Sequence, residues 1–311
     1  MNFRYLPMGW VLHPGHRVGR LRSAQGVWMR VWGAGRWSRR AVLAGLMLAA
    51  AALPSIAGEN PLLPGIKGAD DRVRVDPYQR PWTAIGRVNR TTGGHCTGVL
   101  IDTNRVLTAA HCLWNRRTER WVQPHSIVFL PGYQRGRALE PARVVDYAVH
   151  VGTVAEDGQR QMELPADWAI LTLEDDVGRR LGTVELAPFD RAQLMAYRRS
   201  GHSVVHAGYS QDKAHTLTMH AGCKVTGFRL GESLAYHDCD ATHGDSGSPL
   251  MVKEGDRYRL IGLHVATFVG EGGRDVRGIA ITGSSILANM EGLRPRAQLD
   301  GLRPIANGAS R

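Results

Sequence analysis

Between residues 73 and 282, short runs of apolar and β-branched residues alternate with polar, glycine-rich stretches. Runs at 83–88, 97–101, 105–109, 126–130, 142–150 and 168–173 are followed by a loop. A second set lies at 203–209, 216–220, 223–228, 249–252, 259–265 and 278–282. Most are four to eight residues long and rich in Val, Ile, Leu and Thr, the signature of strands rather than helices. The pattern predicts an all-β fold, either a sandwich or barrels. Its natural break near 174–188 divides the chain into similar halves at 73–180 and 181–291. Helical periodicity in this part is confined to about 284–290, with Ser284 or Ser285 as N-cap. Residues 58–72, with Pro61, Pro64, Gly65 and Gly68, read as a short pro-segment and an extended or disordered entry segment. Residues 292–311 read as a loose tail.

The 311 residues are 43% hydrophobic and 22% charged, which excludes a disordered chain. A net charge of +11 suggests a nucleic-acid partner until its location is examined. Residues 1–57 hold eight arginines and no lysine or acid, and the rest carries 31 basic against 28 acidic residues. The excess therefore belongs to the leader, and nucleic-acid binding loses its support. In that leader, Ser38-Arg39-Arg40 precedes an apolar run, and Pro54-Ser55-Ile56-Ala57 offers small residues for cleavage after Ala57. Residues 1–57 thus read as an export signal. The paired arginines resemble a Tat-type signal, and the Sec route remains open. Met29 is an alternative start. The apolar run is too short and alanine-rich for a good membrane span, so an uncleaved anchor is the competing reading. The chain is expected to be secreted or periplasmic after cleavage, monomeric, and without a stable membrane span.

Cys96, Cys112, Cys223 and Cys239 are the four cysteines, all beyond the leader. An even count in an exported chain suggests two disulfides, with three possible connectivities. A Cys96–Cys112 bridge would pin the turn carrying His111, worth about 3 kcal/mol for a loop of this size.

Three strings carry chemistry. Thr108-Ala109-Ala110-His111-Cys112 ends a strand-like run; by itself, a histidine beside a cysteine is usually structural. Gly244-Asp245-Ser246-Gly247-Ser248-Pro249 is either a glycine-rich turn or the seat of a nucleophile. A nucleophilic serine needs nearby backbone N–H groups for an oxyanion, and Gly244 gives the backbone that freedom. It also needs a histidine base held by a carboxylate. Asp167, directly before the apolar run Trp168-Ala169-Ile170-Leu171, offers one. An acid there is commonly a turn residue, but a buried carboxylate wants donors such as a histidine N–H.

Taken together, the order His111, Asp167, Ser246 in these strings resembles the trypsin- and chymotrypsin-like serine endopeptidases over about residues 66–291. The resemblance implies two six-stranded antiparallel β-barrels with a short C-terminal helix. It implies His111 as general base, Asp167 as its orienter and Ser246 as nucleophile, with Gly244 and Ser246 N–H groups as the oxyanion hole. It implies protein or peptide substrates and no cofactor; nothing indicates calcium. Under it, Cys96–Cys112 and Cys223–Cys239 are the expected pairs, since each closes a short loop between neighbouring strands. Asp70-Asp71-Arg72-Val73-Arg74-Val75, Pro81-Trp82-Thr83-Ala84-Ile85, Cys96-Thr97-Gly98 and Ile261-Gly262-Leu263-His264 look closest to the bacterial glutamyl endopeptidase branch. A second cysteine pair is not general there, and Asp245 is Asn or Gln in some of its members.

Substrate preference is divided. Asp240 stands where trypsin places an acid that binds Arg or Lys. His264 stands where acid-selective relatives carry a pocket histidine, and Thr242, His243 and Thr267 would add donors. Asp245 raises a further expectation: its buried carboxylate would be met by a new N-terminal amine near Gly65 or Ile66, or by an internal arginine. A catalytically silent binding module is the alternative, though such proteins usually lose one of the three residues. The pair His202 and His206 has a zinc spacing only on a helix, and it flanks a strand-like run.

Overall fold

The computed structural model describes residues 5–6, 63–150, 163–270 and 275–299. The export signal expected at 1–57 lies outside them, apart from the backbone of Tyr5–Leu6. The chain is all-β, with few helices. The first barrel is formed by β1 (Ile85–Arg90), β2 (His95–Leu100), β3 (Arg105–Thr108), β4 (Ile127–Pro131), β5 (Ala142–His150) and β6 (Ala169–Leu173). All neighbours are antiparallel, in the order β6-β3-β2-β1-β4-β5, and a β6–β5 ladder closes the ring. Its interior is filled by Ile85, Leu100, Leu107, Phe129, Tyr147 and Leu171, all fully buried.

The second barrel uses β7 (Val204–Gly208), β8 (Thr218–Cys223), β9 (Val225–Arg229), β10 (Leu234–His237), β11 (Pro249–Glu254), β12 (Arg257–Val269) and β13 (Val276–Thr282). The sheet runs β9-β10-β13-β12-β11-β7-β8. Strands β8 and β9 sit at opposite ends of this order and are joined through Lys224 alone. They act as one bent strand, so the sheet curls into six staves. The bend is stapled by Cys223–Cys239, and Cys96–Cys112 staples the first barrel, as expected.

The sequence reading departs from the fold in four places. β10 has only four residues and carries Tyr236 and His237, too short for a periodic signal. The C-terminal helix α3 is preceded by α1 (Val177–Leu181) and α2 (Arg191–Arg199), so it is not the sole helix. The start of α2 was readable: Asp190 accepts from the N–H groups of Ala192 and Gln193, as an N-cap should. α3 spans Gly283–Ala288, and its N-cap is Thr282 rather than Ser284 or Ser285. Finally, neither end is loose where it is described. Leu293–Pro295 adds an antiparallel strand to β5, and Leu299 is fully buried. Residues 63–72 dock against the second barrel, described below.

Gly278 on β13 makes room for a buried ring. A Cβ there would lie 2.1 Å from Cε1 of His237. Gly278→Ala is expected to destabilise the protein by roughly 1–3 kcal/mol through overpacking, measured as a lowered midpoint in urea unfolding.

Candidate active site

His111 sits in a single 3-10 turn, Ala110–Leu113, immediately after β3. β6 pairs with β3 so that Ala169 faces Thr108, which brings the residue two before Ala169 beside the turn. That residue is Asp167. Its Oδ1 accepts the His111 backbone N–H at 2.8 Å, and its Oδ2 lies 2.7 Å from His111 Nδ1. The carboxylate fixes both the turn and the ring, and with Nδ1 donating, Nε2 is left as the basic nitrogen. Trp168, fully buried and stacked on His150 at 5.4 Å, anchors the backbone next to Asp167.

Ser246 approaches from the second barrel. Thr97 on β2 makes the junction. Its N–H donates to Ser246 O at 2.9 Å, and its hydroxyl donates to Gly244 O at 3.0 Å. The same hydroxyl accepts the Tyr209 N–H at 3.0 Å, and the Thr97 carbonyl accepts the Thr108 hydroxyl at 2.8 Å. Cys112 Sγ, one residue past His111, lies 3.9 Å from Ser246 O. The turn is tight: Gly244 and Gly247 have φ of +91° and +82°. A Cβ on Gly244 would also lie 2.4 Å from Tyr209 O, so only glycine fits. Among the described residues, the N–H groups of Gly244 and Ser246 have no hydrogen-bond acceptor, whereas those of Asp245, Gly247 and Ser248 do.

Asp245 is 1% exposed. Its Oδ2 accepts the Ser210 hydroxyl at 2.6 Å and the Thr242 N–H at 2.8 Å. No amine and no arginine is among its direct partners in the described residues; Arg72 acts on it only as a nearby positive charge. Burial therefore wins, pushing its pKa up to about 6 against the lowering effect of those two hydrogen bonds.

The five pocket candidates separate. Thr242, His264 and Thr267 are buried, and Thr242 Oγ1, His264 Nε2 and Thr267 Oγ1 have no hydrogen-bond partner among the described residues. His243 is half-buried, with its carbonyl accepting the Gln211 N–H at 2.5 Å and its Nδ1 unpartnered. Asp240 does not join them as a free acid. It is fully buried, and both its oxygens accept N–H groups from residues 67 and 71. His220 Nδ1 lies 3.4 Å from its Oδ2.

His264 is also not the isolated cation that its position suggests. His237 Nε2 lies 3.0 Å from His264 Nδ1, and His206 packs edge-on to His264 at 5.5 Å. Burial first, and mutual proximity second, drive the pKa values of His237 and His264 well below the usual histidine value. Burial likewise lowers His206 to about 3. His237 was missed because β10 was missed. His202 packs instead on Tyr197 at 5.7 Å, so the zinc spacing has no counterpart in space. The close donor clusters Cys96-His111-Cys112 and Cys223-Asp238-Cys239 each include sulfurs spent in a disulfide.

The trypsin family model matches residues 71–288. The chain belongs to the trypsin family. It is 25% identical over 235 residues to tissue-type plasminogen activator of Sus scrofa, covering 66% of this chain and 41% of that protein. It is 27% identical over 219 residues to transmembrane protease serine 5 of Homo sapiens, covering 66% of this chain and 47% of that protein. The chain thus spans less than half the length of these curated relatives. A solved Glu endopeptidase structure, in complex with MPD, superposes with a TM-score of 0.58 at 21% identity, covering 73% of this chain and 97% of that one. The protease Anisep from Arthrobacter nicotinovorans superposes with a TM-score of 0.50 at 16% identity, covering 71% of this chain and 97% of that one. These likenesses agree with the two-barrel fold. No helix among the described residues of this trypsin-family chain is long and apolar enough to cross a membrane.

Two outcomes follow from the geometry of the serine turn. Thr97→Val keeps shape but strips the hydroxyl, leaving Gly244 O and the Tyr209 N–H unpaired. A stability loss of about 1–3 kcal/mol is expected by chemical denaturation. The second concerns pH. The folded state holds the Asp245 proton more tightly than the unfolded chain, so this group's stabilising contribution is complete below pH 3.8 and is lost as pH rises through about 6. Asn at this position can keep its carbonyl on Ser210 and Thr242. The Asp245→Asn variant should therefore gain on the parent by up to about 3 kcal/mol between those limits, read as the difference between two stability–pH curves.

Proposed function

We propose that this chain is an exported serine endopeptidase that hydrolyses peptide bonds through an acyl-enzyme. The observation that supports the reading most directly is the Asp167–His111 pair, with 2.8 and 2.7 Å contacts, set beside a glycine turn that carries Ser246 and two free N–H groups. His111 Nε2 takes the proton from Ser246 Oγ as that oxygen attacks the peptide carbonyl carbon. The N–H groups of Gly244 and Ser246 receive the negative oxygen of the tetrahedral intermediate. His111 then gives its proton to the departing amine, leaving an acyl-Ser246. Water repeats the sequence, with His111 again as base, and releases the acid. Asp167 holds the ring in the tautomer that keeps Nε2 basic.

Within this reading, the residue before the scissile bond is acidic. His264 Nε2, Thr242 Oγ1 and Thr267 Oγ1 are buried polar atoms awaiting partners, and a carboxylate would accept from all three. His237 would donate from Nε2 to His264 Nδ1, which places the His264 hydrogen on Nε2. Recognition would then rely on neutral donors, because burial keeps these rings uncharged. The basic-cleaving alternative loses force because the Asp240 carboxylate is already hydrogen-bonded at both oxygens. The leader before residue 58 would be removed during export, leaving a secreted or periplasmic monomer.

A fluorophosphonate probe should label Ser246 alone, and labelling should vanish in Ser246→Ala. That variant and His111→Ala should lose at least about 10⁴-fold in kcat/KM on peptides while staying folded. Unchanged cleavage by purified Ser246→Ala, or an unlabelled parent, would sink the mechanism in favour of a silent binding module. A peptide library should show Glu and Asp before the cleaved bond; Arg and Lys there would reverse the preference.

A further inference from the structure

Asp240 occupies the position at which the family resemblance suggests a substrate-binding acid, yet its carboxylate is turned to another use. Residues 65–72 pass against the loop 238–245. The Lys67 N–H donates to Asp240 Oδ1 at 2.8 Å, and the Asp71 N–H donates to Asp240 Oδ2 at 3.0 Å. Ala241 N–H returns a hydrogen bond to Gly65 O at 3.2 Å. Lys67 Nζ donates to Cys239 O at 2.6 Å and to Gly65 O at 3.0 Å. Beyond Asp71 the segment is held again: Arg72 is forked between Asp70 and Asp212, with nitrogen–oxygen distances of 2.8 to 3.0 Å. Lys213 also pairs with Asp70. Val73–Arg74 then adds a short strand to β8.

We infer that Asp240 is a latch, a positioning residue that fastens this N-terminal strap and thereby holds the loop bearing the oxyanion N–H groups. The inference rests on the endopeptidase reading above. Three observations carry it. First, the strap engages the backbone of 239 and 241 and the side chain of 240, and the same loop continues through Thr242 to Gly244. Second, the Asp240 carboxylate has no exposed surface and both oxygens are engaged, so it is not available to a substrate cation. Third, the strap docks with the chain continuing before Gly65. The Ile66 N–H donates to Leu63 O at 3.2 Å, so it acts as an ordinary amide in this arrangement. Asp245, where a new amine would be expected, is met by Ser210 and Thr242. Docking through Asp240 replaces insertion of a cleaved terminus, and the chain is active without a cut before Ile66.

Asparagine at 240 keeps one acceptor oxygen and turns an NH₂ toward the other strap N–H. It also removes the carboxylate charge that acts most strongly on the Lys67 ammonium. The test uses the purified chain, with its intact mass establishing that the bond before Gly65 is unbroken. Active sites are titrated with a fluorophosphonate, so that kcat is expressed per competent molecule. The parent should turn over peptide within about threefold of the same protein after the bond before Ile66 is cut. Asp240→Asn should lose roughly 10–100-fold in kcat per titrated site, a fraction of what deleting an oxyanion donor costs. KM and the preference at the residue before the scissile bond should stay unchanged. Lys67→Met, which keeps the strap N–H, should fall between the two. A purely structural role would lower the titrated fraction and the melting temperature while leaving kcat per site intact, and that result overturns the latch. So does activity that appears only after cleavage before Ile66, or a changed substrate preference in Asp240→Asn. An inert, unlabelled parent overturns the endopeptidase reading and the latch with it; an active parent showing any of the preceding failures overturns the latch alone.

Discussion

Thr97 joins the two barrels where the chemistry-bearing residues approach one another. Its backbone N–H and its hydroxyl hold the carbonyls of Ser246 and Gly244, while its own carbonyl holds Thr108, three residues before His111. One residue from the second strand therefore sets the relative position of the histidine turn and the serine turn. Each barrel supplies only part of the arrangement, so the site exists only while this junction is made. The neighbouring Cys96–Cys112 bridge reinforces it by tying β2 to the histidine turn itself.

Around this junction, buried charge is handled in two different ways. Asp240 stays well served: two backbone donors and a nearby histidine keep its carboxylate below the usual range despite complete burial. Asp245 has a hydroxyl and an amide on Oδ2 and a longer Ser248 hydroxyl contact of 3.5 Å on Oδ1, and burial outweighs them. The contrast follows from depth and partners together: Asp245 is the more deeply enclosed, while Asp240 meets close backbone donors on both oxygens and a histidine. Three buried histidines of the second barrel, His206, His237 and His264, settle the problem by remaining neutral, which leaves them as hydrogen-bonding groups rather than charges.

Neutral rings avoid the desolvation cost that a cation buried there would carry. The nearest cation in the lead-in, Lys67, has its pKa lowered to about 8 by burial, with Asp240 opposing the drop. The strap thus brings its own charge and its own neutralising partner to the same place.

Much of this was legible in the chain. Alternating short apolar runs set much of the strand inventory, and the strings around His111, Asp167 and Ser246, each ordinary alone, together pointed to the trypsin family. The cysteine pairs followed from short loops between neighbouring strands. Other features were not legible, for physical reasons that can be named. A four-residue strand such as β10 is too short to show a period, so His237 stayed hidden. Nothing local showed His206 packing against rings 31 and 58 positions away. Asp240 shows the limit most clearly. Its place in the sequence fixes it six residues before the serine, whereas its role depends on which groups surround the carboxylate. Those groups come from residues 67 and 71, about 170 positions earlier, and only the folded chain brings them there.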